Sequence, residues 1–279
     1  MRVTFYGVRG SIPTPGAAYI KYGGNTACVH VELNDGTDII LDSGTGIRLL
    51  GNKLKNKTSP IHLLLSHNHW DHIQGFPFFS PIYQANRDIF IYPGQTSLAQ
   101  HDHILQQMEG SFFPVSPCDL HANIQFKTLP ENQMSWQIGN AKIKRLRMNH
   151  PGKGSAYCLE EDGVKLAYIT DNELYPPYQK ETNFLGFVDF AKDADMIIHD
   201  AQYLASDMPD KSGWGHSVAE EAVKLALACQ AKHLALYSHD PDRTDKDIDM
   251  IVEHCEQYIT VTESALAVFA SAEGQTLIF

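Results

Sequence analysis

This sequence has no cysteine pattern typical of disulfides, no long apolar run and no excess of positive charge. Its 279 residues include five cysteines, an odd number without C-x-x-C spacing, which predicts reduced thiols rather than a disulfide framework. No stretch approaches the roughly 18 apolar residues that a membrane span needs. The N-terminal residues MRVTFYGVRGSIP contain no continuous apolar core and predict a strand, not a signal peptide. These absences predict a cytoplasmic protein with no membrane partner.

Basic residues are fewer than acidic ones. Lys plus Arg number 22 and Asp plus Glu number 33, which gives a formal net charge of −11. Long nucleic acids bind largely through neutralisation of their phosphates by basic side chains, so this balance argues against them as partners. A small anionic substrate is still compatible with the charge, because bound metal cations reverse the sign of the local field.

Hydrophobic residues make up 43% of the chain, enough for a large core, and no repeat, low-complexity tract or linker divides it. The sequence therefore predicts a single domain over residues 1–279, with a small helical insertion around 95–121. Strand patterns come early and late, with helices interspersed, which favours an α/β sandwich over a strictly alternating barrel. Ser217, followed three residues later by Glu220, predicts a capping box at the start of a helix over SVAEEAVKLALACQ.

The stretch LLLSHNHWDHIQG, at residues 63–75, contains three histidines and one aspartate within six residues. A strand that ends at Ser66 would present His67 and His69 on one side, and the following loop or helix start would bring in Asp71 and His72. Imidazoles and carboxylates suit zinc, iron or manganese. Because the backbone directs these four groups in two directions, two neighbouring ions are expected, each completed by ligands from elsewhere. A merely polar surface loop would not need three histidines beside a buried strand.

HNHWDH matches the H-x-H-x-D-H motif of the metallo-β-lactamase superfamily, metal-dependent hydrolases that the chain resembles over most of its length. The resemblance implies a four-layer αββα sandwich and two divalent ions, expected to be Zn²⁺ with Mn²⁺ or Fe²⁺ as alternatives. It implies that one ion is held by three histidines and the other by Asp71 and two histidines, with Asp171 and a hydroxide bridging them. The implied metal ligands are His67, His69, Asp71, His72, His150, Asp171 and His239. Relatives often have two successive histidines where this chain has Ser238 and His239, so His239 is expected to be the ligand here.

The segments MIIHDAQY and GWGHSVAEE resemble paired motifs of the ribonuclease Z and phosphodiesterase branch of that superfamily. The resemblance implies that His216 protonates the leaving alkoxide and that Asp200 orients it. His216 also precedes a predicted helix start, where free N–H groups favour an anion such as phosphate. Without the metal motif, a packed residue before the helix cap would be the simpler interpretation of His216.

Further residues are expected around this centre. GVRGSIPTPG, YGGNTACV and DSGTGIR resemble the phosphoribosyl cyclic phosphate phosphodiesterase subgroup. Within the last of these, Asp42 is expected to receive the N–H of a ligand histidine. The expected substrate contacts are Trp214, Ser217, Phe112 and Phe113.

The sequence thus predicts a binuclear phosphodiesterase that acts on a small anionic substrate, such as a cyclic nucleotide or a cyclic sugar phosphate, with Asp71, His216 and Asp200 as its catalytic residues. Alternatives are a ribonuclease Z-like endoribonuclease and a metallohydrolase of lactones, thioesters or lactams. A binding protein with an inactive site is a third class. A homodimer is compatible with the superfamily, but no feature of the sequence requires one.

Overall fold

A computed structural model describes residues 1–94, 102–130 and 133–279 of the chain. Within these ranges the strands are β1 Arg2–Gly7, β2 Cys28–Glu32, β3 Asp38–Leu41, β4 Ile61–Leu64, β5 Asp88–Tyr92, β6 Asn123–Phe126, β7 Ser135–Ile138, β8 Ala141–Arg147, β9 Ser155–Glu161, β10 Val164–Ile169, β11 Met196–Asp200, β12 His233–Tyr237, β13 Ala267–Ala270 and β14 Thr276–Ile278. The α-helices are α1 Ile47–Leu54, α2 Trp70–Ile73, α3 His103–Gln106, α4 Phe184–Ala191, α5 Ala219–Ala228 and α6 Asp245–Val261. None of the described helices has the combination of length and apolarity that a membrane crossing requires.

The strands form two seven-stranded mixed sheets, in the orders β14-β1-β2-β3-β4-β5-β6 and β13-β12-β11-β10-β9-β8-β7. In the first sheet β3, β4, β5 and β6 are parallel, and in the second β10, β11, β12 and β13 are parallel. The remaining neighbours in each sheet pair antiparallel. Each sheet therefore has a parallel half, whose carboxyl ends meet at one edge and can carry a site.

Three apolar layers hold the sheets and helices together. The middle layer joins both sheets, with side chains such as Phe5 and Leu41 of the first sheet and Tyr168 and Tyr237 of the second. The outer face of the second sheet packs against α4, α5 and α6, and the outer face of the first sheet packs against α1 and α3. This arrangement is the predicted αββα sandwich, in which each sheet buries both of its faces.

Most predicted strands and the long helices are present, but some elements were missed. β7, β13 and α4 were not predicted, because their short apolar stretches carry weak periodicity. In the predicted insertion around 95–121, residues 95–101 lie outside the described residues. The rest holds only the single-turn α3 and a 3₁₀ turn at Pro117–Asp119.

The capping box predicted at Ser217 is wrong. Helix α5 begins two residues later, with Val218 as its N-cap and without a side-chain cap hydrogen bond. Ser217 is fully buried instead; its hydroxyl donates to the carbonyl of Asn172 at 2.6 Å and accepts from the N–H of Leu174 at 3.2 Å. Ser217 therefore makes hydrogen bonds to the loop after β10 and does not cap the helix.

Candidate metal centre

The motif HNHWDH lies directly after the buried strand β4. His67 is fully buried, whereas His69 is exposed and lies at the end of an extended segment before α2. The rings of His67 and His69 are 4.5 Å apart, centroid to centroid, and His69 Nδ1 lies 2.9 Å from His150 Nε2. The exposed His69 therefore marks the side on which this cluster opens to solvent.

Four donor side chains form the first part of the centre. One ligand atom from each of His67, His69, His150 and Asp171 lies within 4.8 Å of the others. Asp171 Oδ2 is 3.6 Å from His67 Nε2 and 3.8 Å from His150 Nε2. Three imidazoles and one carboxylate at this spacing match the donor set and number that suit a zinc-like ion.

A second group shares Asp171 with the first and adds Asp71 and His72. His72 Nε2 is 3.2 Å from Asp71 Oδ2 and also 3.2 Å from Asp171 Oδ2. All three side chains are buried. The two groups therefore lie side by side and share Asp171.

Buried ring nitrogens without partners test whether these residues suit a metal. The Nε2 atoms of His67 and His72 have no hydrogen-bond partner in the described structure, although the carboxylate oxygens of Asp171 lie close to both. Burial, reinforced by the neighbouring His72, lowers the pKa of His67 well below its usual value and favours the neutral, ligand-competent ring. Orphaned nitrogens that face carboxylates are what a shared cation would satisfy, so the residues fit divalent metal ions.

Partners outside the cluster orient its histidines. Asp42 accepts from His72 Nδ1 at 2.9 Å, from Ser66 Oγ at 2.7 Å and from Tyr168 Oη at 2.7 Å. His150 Nδ1 donates to the carbonyl of Gly215 at 2.8 Å. Such contacts fix which ring nitrogen faces a metal. Asp42 therefore contacts the ring of His72, one of the histidines of the cluster.

Backbone strain accompanies the cluster. Asp42, Asp171 and Ser238 have φ of 60°, 36° and 58° respectively. Residues other than glycine rarely adopt these left-handed conformations, which persist only where surrounding contacts enforce them and which concentrate at functional sites. Each of these residues follows a parallel strand, so the strain lies where the chain turns into the centre.

His216 and Asp200 form a hydrogen-bonded pair next to Asp171, the residue that belongs to both donor groups described above. His216 Nδ1 donates to Asp200 Oδ2 at 2.7 Å, while the N–H groups of Asn172 and Gln202 donate to the two carboxylate oxygens of Asp200. Burial alone lowers the pKa of His216, but the charges of Asp200 and Asp171 outweigh it and raise the pKa to about 9. Both carboxylate oxygens of Asp200 are thus engaged, so Asp200 is suited to orienting the ring of His216. Because Nδ1 of His216 is used in this contact, Nε2 is the ring nitrogen that faces away from Asp200.

Glu173 is a site residue that the sequence analysis missed. Its buried carboxylate accepts from the N–H groups of Gly213 and Gly215, at 2.9 Å each. Both glycines have positive φ, and a Cβ on Gly215 would lie 2.2 Å from His150 Nδ1. Glu173 therefore holds the loop that contacts His150 and precedes His216. The only sequence indication was its position two residues after Asp171.

The prediction that His239 is a metal ligand is corrected by the structure. His239 Nε2 lies 2.9 Å from the carbonyl oxygen of Ser271, and its ring packs edge-on against Tyr22, with 5.7 Å between centroids. Ser238 lies on the cluster side instead, with Oγ 3.4 Å from Asp171 Oδ1. The turn after β12 directs successive side chains to opposite sides, so only the first of the two residues faces the centre.

The predicted substrate contacts divide into exposed and buried residues. Trp214 is 57% exposed, and Lys211 Nζ lies 4.1 Å from its ring centroid. Phe112 is 86% exposed, whereas Phe113 is half-buried against Phe78. The prediction that Ser217 contacts substrate is wrong, because its hydroxyl is buried and engaged on both sides.

Phe112 and Phe113 line a cleft of about 680 Å³. Its lining residues are mostly aromatic, apolar or amide-bearing: Trp70, Gln74, Pro77, Phe78, His103, Gln106, Gln107, Phe112 and Phe113. Trp70 is 70% exposed and stands between His69 and Asp71 in the chain. Trp70 is therefore the residue of the HNHWDH motif that lines the cleft.

Comparison with known proteins places this arrangement in a family. The model of the beta-lactamase superfamily domain matches residues 37–239. A protein named Ribonuclease Z from Natronomonas pharaonis is 22% identical over 300 aligned residues, covering 89% of this chain and 92% of that protein. Another of that name, from Thermoplasma volcanium, is 31% identical over 124 residues, covering only 42% of this chain and 38% of that protein.

Solved structures share the fold at low sequence identity. The metallo-beta-lactamase fold protein YhfI from Bacillus subtilis has a TM-score of 0.71 and 19% identity, covering 99% of this chain and 98% of its own. A diphosphatase described as a member of the PhnP family has a TM-score of 0.69 and 16% identity, covering 100% of this chain and 97% of its own. At these identities the likeness establishes the αββα fold.

Proposed function

This chain belongs to the beta-lactamase superfamily, and from that premise we propose that it is a phosphodiesterase that hydrolyses a small phosphodiester, such as a cyclic nucleotide or a cyclic sugar phosphate, at two divalent metal ions. The observation that carries the proposal is the His216–Asp200 pair, which lies against the residue shared by both donor groups. A proton donor at that place suits the release of an alkoxide, the poor leaving group of such an ester.

The metal positions follow from the two donor groups. The first ion would be held by His67, His69, His150 and Asp171, and the second by Asp71, His72 and Asp171. When bound, such ions lower the pKa of a water molecule and offset the negative charge that develops at phosphorus. Zn²⁺ is the expected metal at the imidazole-rich position, with Mn²⁺ or Fe²⁺ as alternatives.

Asp200 and His216 act together in this proposal. Asp200 is buried and fixed by two backbone N–H groups, so it holds the imidazole in one orientation with its proton on Nδ1. Nε2 can then donate a proton to the oxygen that leaves phosphorus. The bond that breaks is the phosphorus–oxygen bond of the leaving group, and the proton from Nε2 completes the alcohol.

The aromatic cleft would hold the remainder of the substrate. Trp70 and Phe112 present exposed ring faces at its rim, and Phe78 with Phe113 forms its apolar wall. Flat aromatic surfaces suit a nucleobase, which stacks on them at about 1–3 kcal/mol per base. Lys211, held over Trp214, adds a positive charge near the loop that leads to His216, where an anionic group could bind.

A ribonuclease Z-like activity is the second candidate, because curated relatives carry that name. The net charge of −11 favours a small substrate over a long RNA, since phosphate contacts dominate the binding of nucleic acids. A hydrolase of lactones, thioesters or lactams would use the same metals but would not need a proton donor at His216. A single domain over 1–279 and a cytoplasmic location remain part of the proposal, and a homodimer is compatible with it.

The test is hydrolysis of bis(p-nitrophenyl) phosphate beside a panel of 2′,3′- and 3′,5′-cyclic nucleotides and a transfer RNA precursor, with metal-reconstituted protein and a chelated control. We expect chelator-sensitive turnover of the diester and of at least one cyclic nucleotide. Preferential cleavage of the RNA precursor would support the second candidate instead. Absence of turnover on every phosphodiester, with metal bound, would contradict both.

A further inference from the structure

The two donor groups of the centre differ in size and in chemical character. The first contains three imidazoles and one carboxylate, whereas the second contains one imidazole and two carboxylates, one of them shared. We propose that the second position, next to Ser238, binds its ion weakly and exchangeably and prefers an oxygen-seeking cation such as Mn²⁺, while the first retains a zinc-like ion tightly. The inference rests on the proposed metal centre but not on the identity of the substrate.

Ser238 occupies the place where a further donor to the second group would be expected. Its side chain is almost fully buried, with Oγ 3.4 Å from Asp171 Oδ1 and 3.3 Å from Gln202 Oε1. The neutral hydroxyl is a weaker ligand than an imidazole, and oxygen donors shift a site towards Mn²⁺ and Mg²⁺. The second position therefore has three charged or imidazole donors and at most a hydroxyl as the fourth.

The neighbouring His239 is held away from this position by its backbone as well as by its ring. Its N–H donates to the carbonyl of Val8 at 2.9 Å, and its carbonyl accepts from the N–H of Gly10 at 3.0 Å. The ring is held by the contact of Nε2 with the carbonyl of Ser271, and the backbone hydrogen bonds fix the direction in which the side chain leaves the main chain. Bringing the His239 ring to Asp171 would therefore require the loss of the Ser271 contact and a change in the turn.

The N-terminal segment further limits the second group. The N–H of Ser11 donates to Asp71 Oδ2 at 2.8 Å, so one carboxylate oxygen of Asp71 is already engaged. A Cβ added to Gly10 would lie 2.6 Å from Ser238 Oγ and 2.5 Å from Gln202 Oε1. Gly10 therefore packs directly against Ser238 and Gln202, so the N-terminal segment closes this side of the second position.

The experiment measures metal binding to the full chain without substrate. Chelator-stripped protein is titrated with Zn²⁺ and then with Mn²⁺ by calorimetry, and the metal retained through gel filtration is counted. We expect one Zn²⁺ per chain to be retained and a second event at least about tenfold weaker. Once the first position holds Zn²⁺, added Mn²⁺ should bind, which is measured as loss of the sharp six-line electron paramagnetic resonance signal of the free aqueous ion. Retention of two Zn²⁺ with affinities within about tenfold would overturn the proposal, and so would failure to bind any metal.

Two variants assign the effect to Ser238. Ser238→Asp adds a compact charged donor and should strengthen the second event, whereas Ser238→Ala should weaken it, and neither should change the first event. An unchanged second event in both variants would contradict the assignment. If Ser238→Asp does not fold, the number of metal ions retained by the wild-type chain still shows whether the two positions differ in affinity. Phosphodiester turnover, measured separately, tests the proposed function on its own.

Discussion

The centre is built from two regions that supply their residues in opposite ways. Residues 66–72, which follow the single strand β4, supply Ser66, the exposed His69 and three buried ligand candidates, His67, Asp71 and His72. In residues 150–239 the site residues are scattered, each following a different strand or loop: His150, Asp171, Asp200, His216 and Ser238. The first region is specified by local spacing. The second depends on the carboxyl ends of β10, β11 and β12 lying at one edge, which the parallel pairing of these strands ensures.

The largest effect is expected where the two regions meet. Asp171 belongs to every donor group, whereas Asp71 belongs to one. Asp171→Asn should therefore lose metal from both positions and lower diester turnover by at least about 10³-fold, a larger loss than Asp71→Asn causes. Metal content and turnover of bis(p-nitrophenyl) phosphate measure both effects. Asp189→Asn, an exposed change on α4, is the matched control. Equal metal loss from Asp71→Asn would contradict the shared role of Asp171.

The second-largest effect is expected at His216, in the scattered region, where a substitution should lower turnover without removing metal. His216→Ala should lower turnover of a cyclic nucleotide by about 10²- to 10⁴-fold, because its alkoxide needs a proton. Bis(p-nitrophenyl) phosphate, whose leaving group is a stable anion, should be affected much less, and metal content should not change. Equal losses on both substrates would reduce His216 to a positioning residue. The exposed His254→Ala is the control for removing an imidazole.

A smaller effect is expected at the cleft, which adjoins the contiguous region. Phe112→Ala should raise KM for the cyclic nucleotide by about tenfold through lost stacking. Because Phe112 is 86% exposed, its removal should change the free energy of unfolding by no more than about 0.5 kcal/mol. Leu185→Ala, at another exposed apolar side chain, is the control. An unchanged KM would exclude Phe112 from the substrate site.

The smallest effect concerns His62, on the same strand that leads to the motif. Burial, aided by Lys127, lowers its pKa to about 4. The unfolded chain has a pKa near 6.5 and binds the proton more readily. The stability contributed by neutral His62 is therefore complete above about pH 6.5 and is lost as the pH falls through 4.

His62→Phe should make unfolding less pH-dependent over that window, by up to about one proton. Denaturant unfolding of chelated protein at several pH values measures this slope. The aromatic replacement retains the packing against Phe90, which lies 5.2 Å away between ring centroids. An identical slope in the variant and the wild type would show that His62 does not titrate in this way.

Sequence spacing predicted the contiguous region well and the scattered region in part. Strand patterns favoured an α/β sandwich, whereas the resemblance to the superfamily implied the αββα layers and the joint role of His67, His69, His150 and Asp171, which the structure brings together. Glu173 escaped notice because a lone glutamate after a strand has no distinctive pattern. Its role depends on two N–H groups about 40 residues away in the chain.

The sequence by itself determined the strand that precedes HNHWDH, the sandwich class and the His and Asp side chains of the motif that could hold a metal. The side chains there are adjacent in the chain, and local geometry suffices to bring them together. Only the tertiary structure decided that Ser238, and not His239, faces Asp171, and that Ser217 turns inward. Those outcomes depend on one strained turn with φ of 58° and on hydrogen bonds from distant segments, which no local pattern encodes.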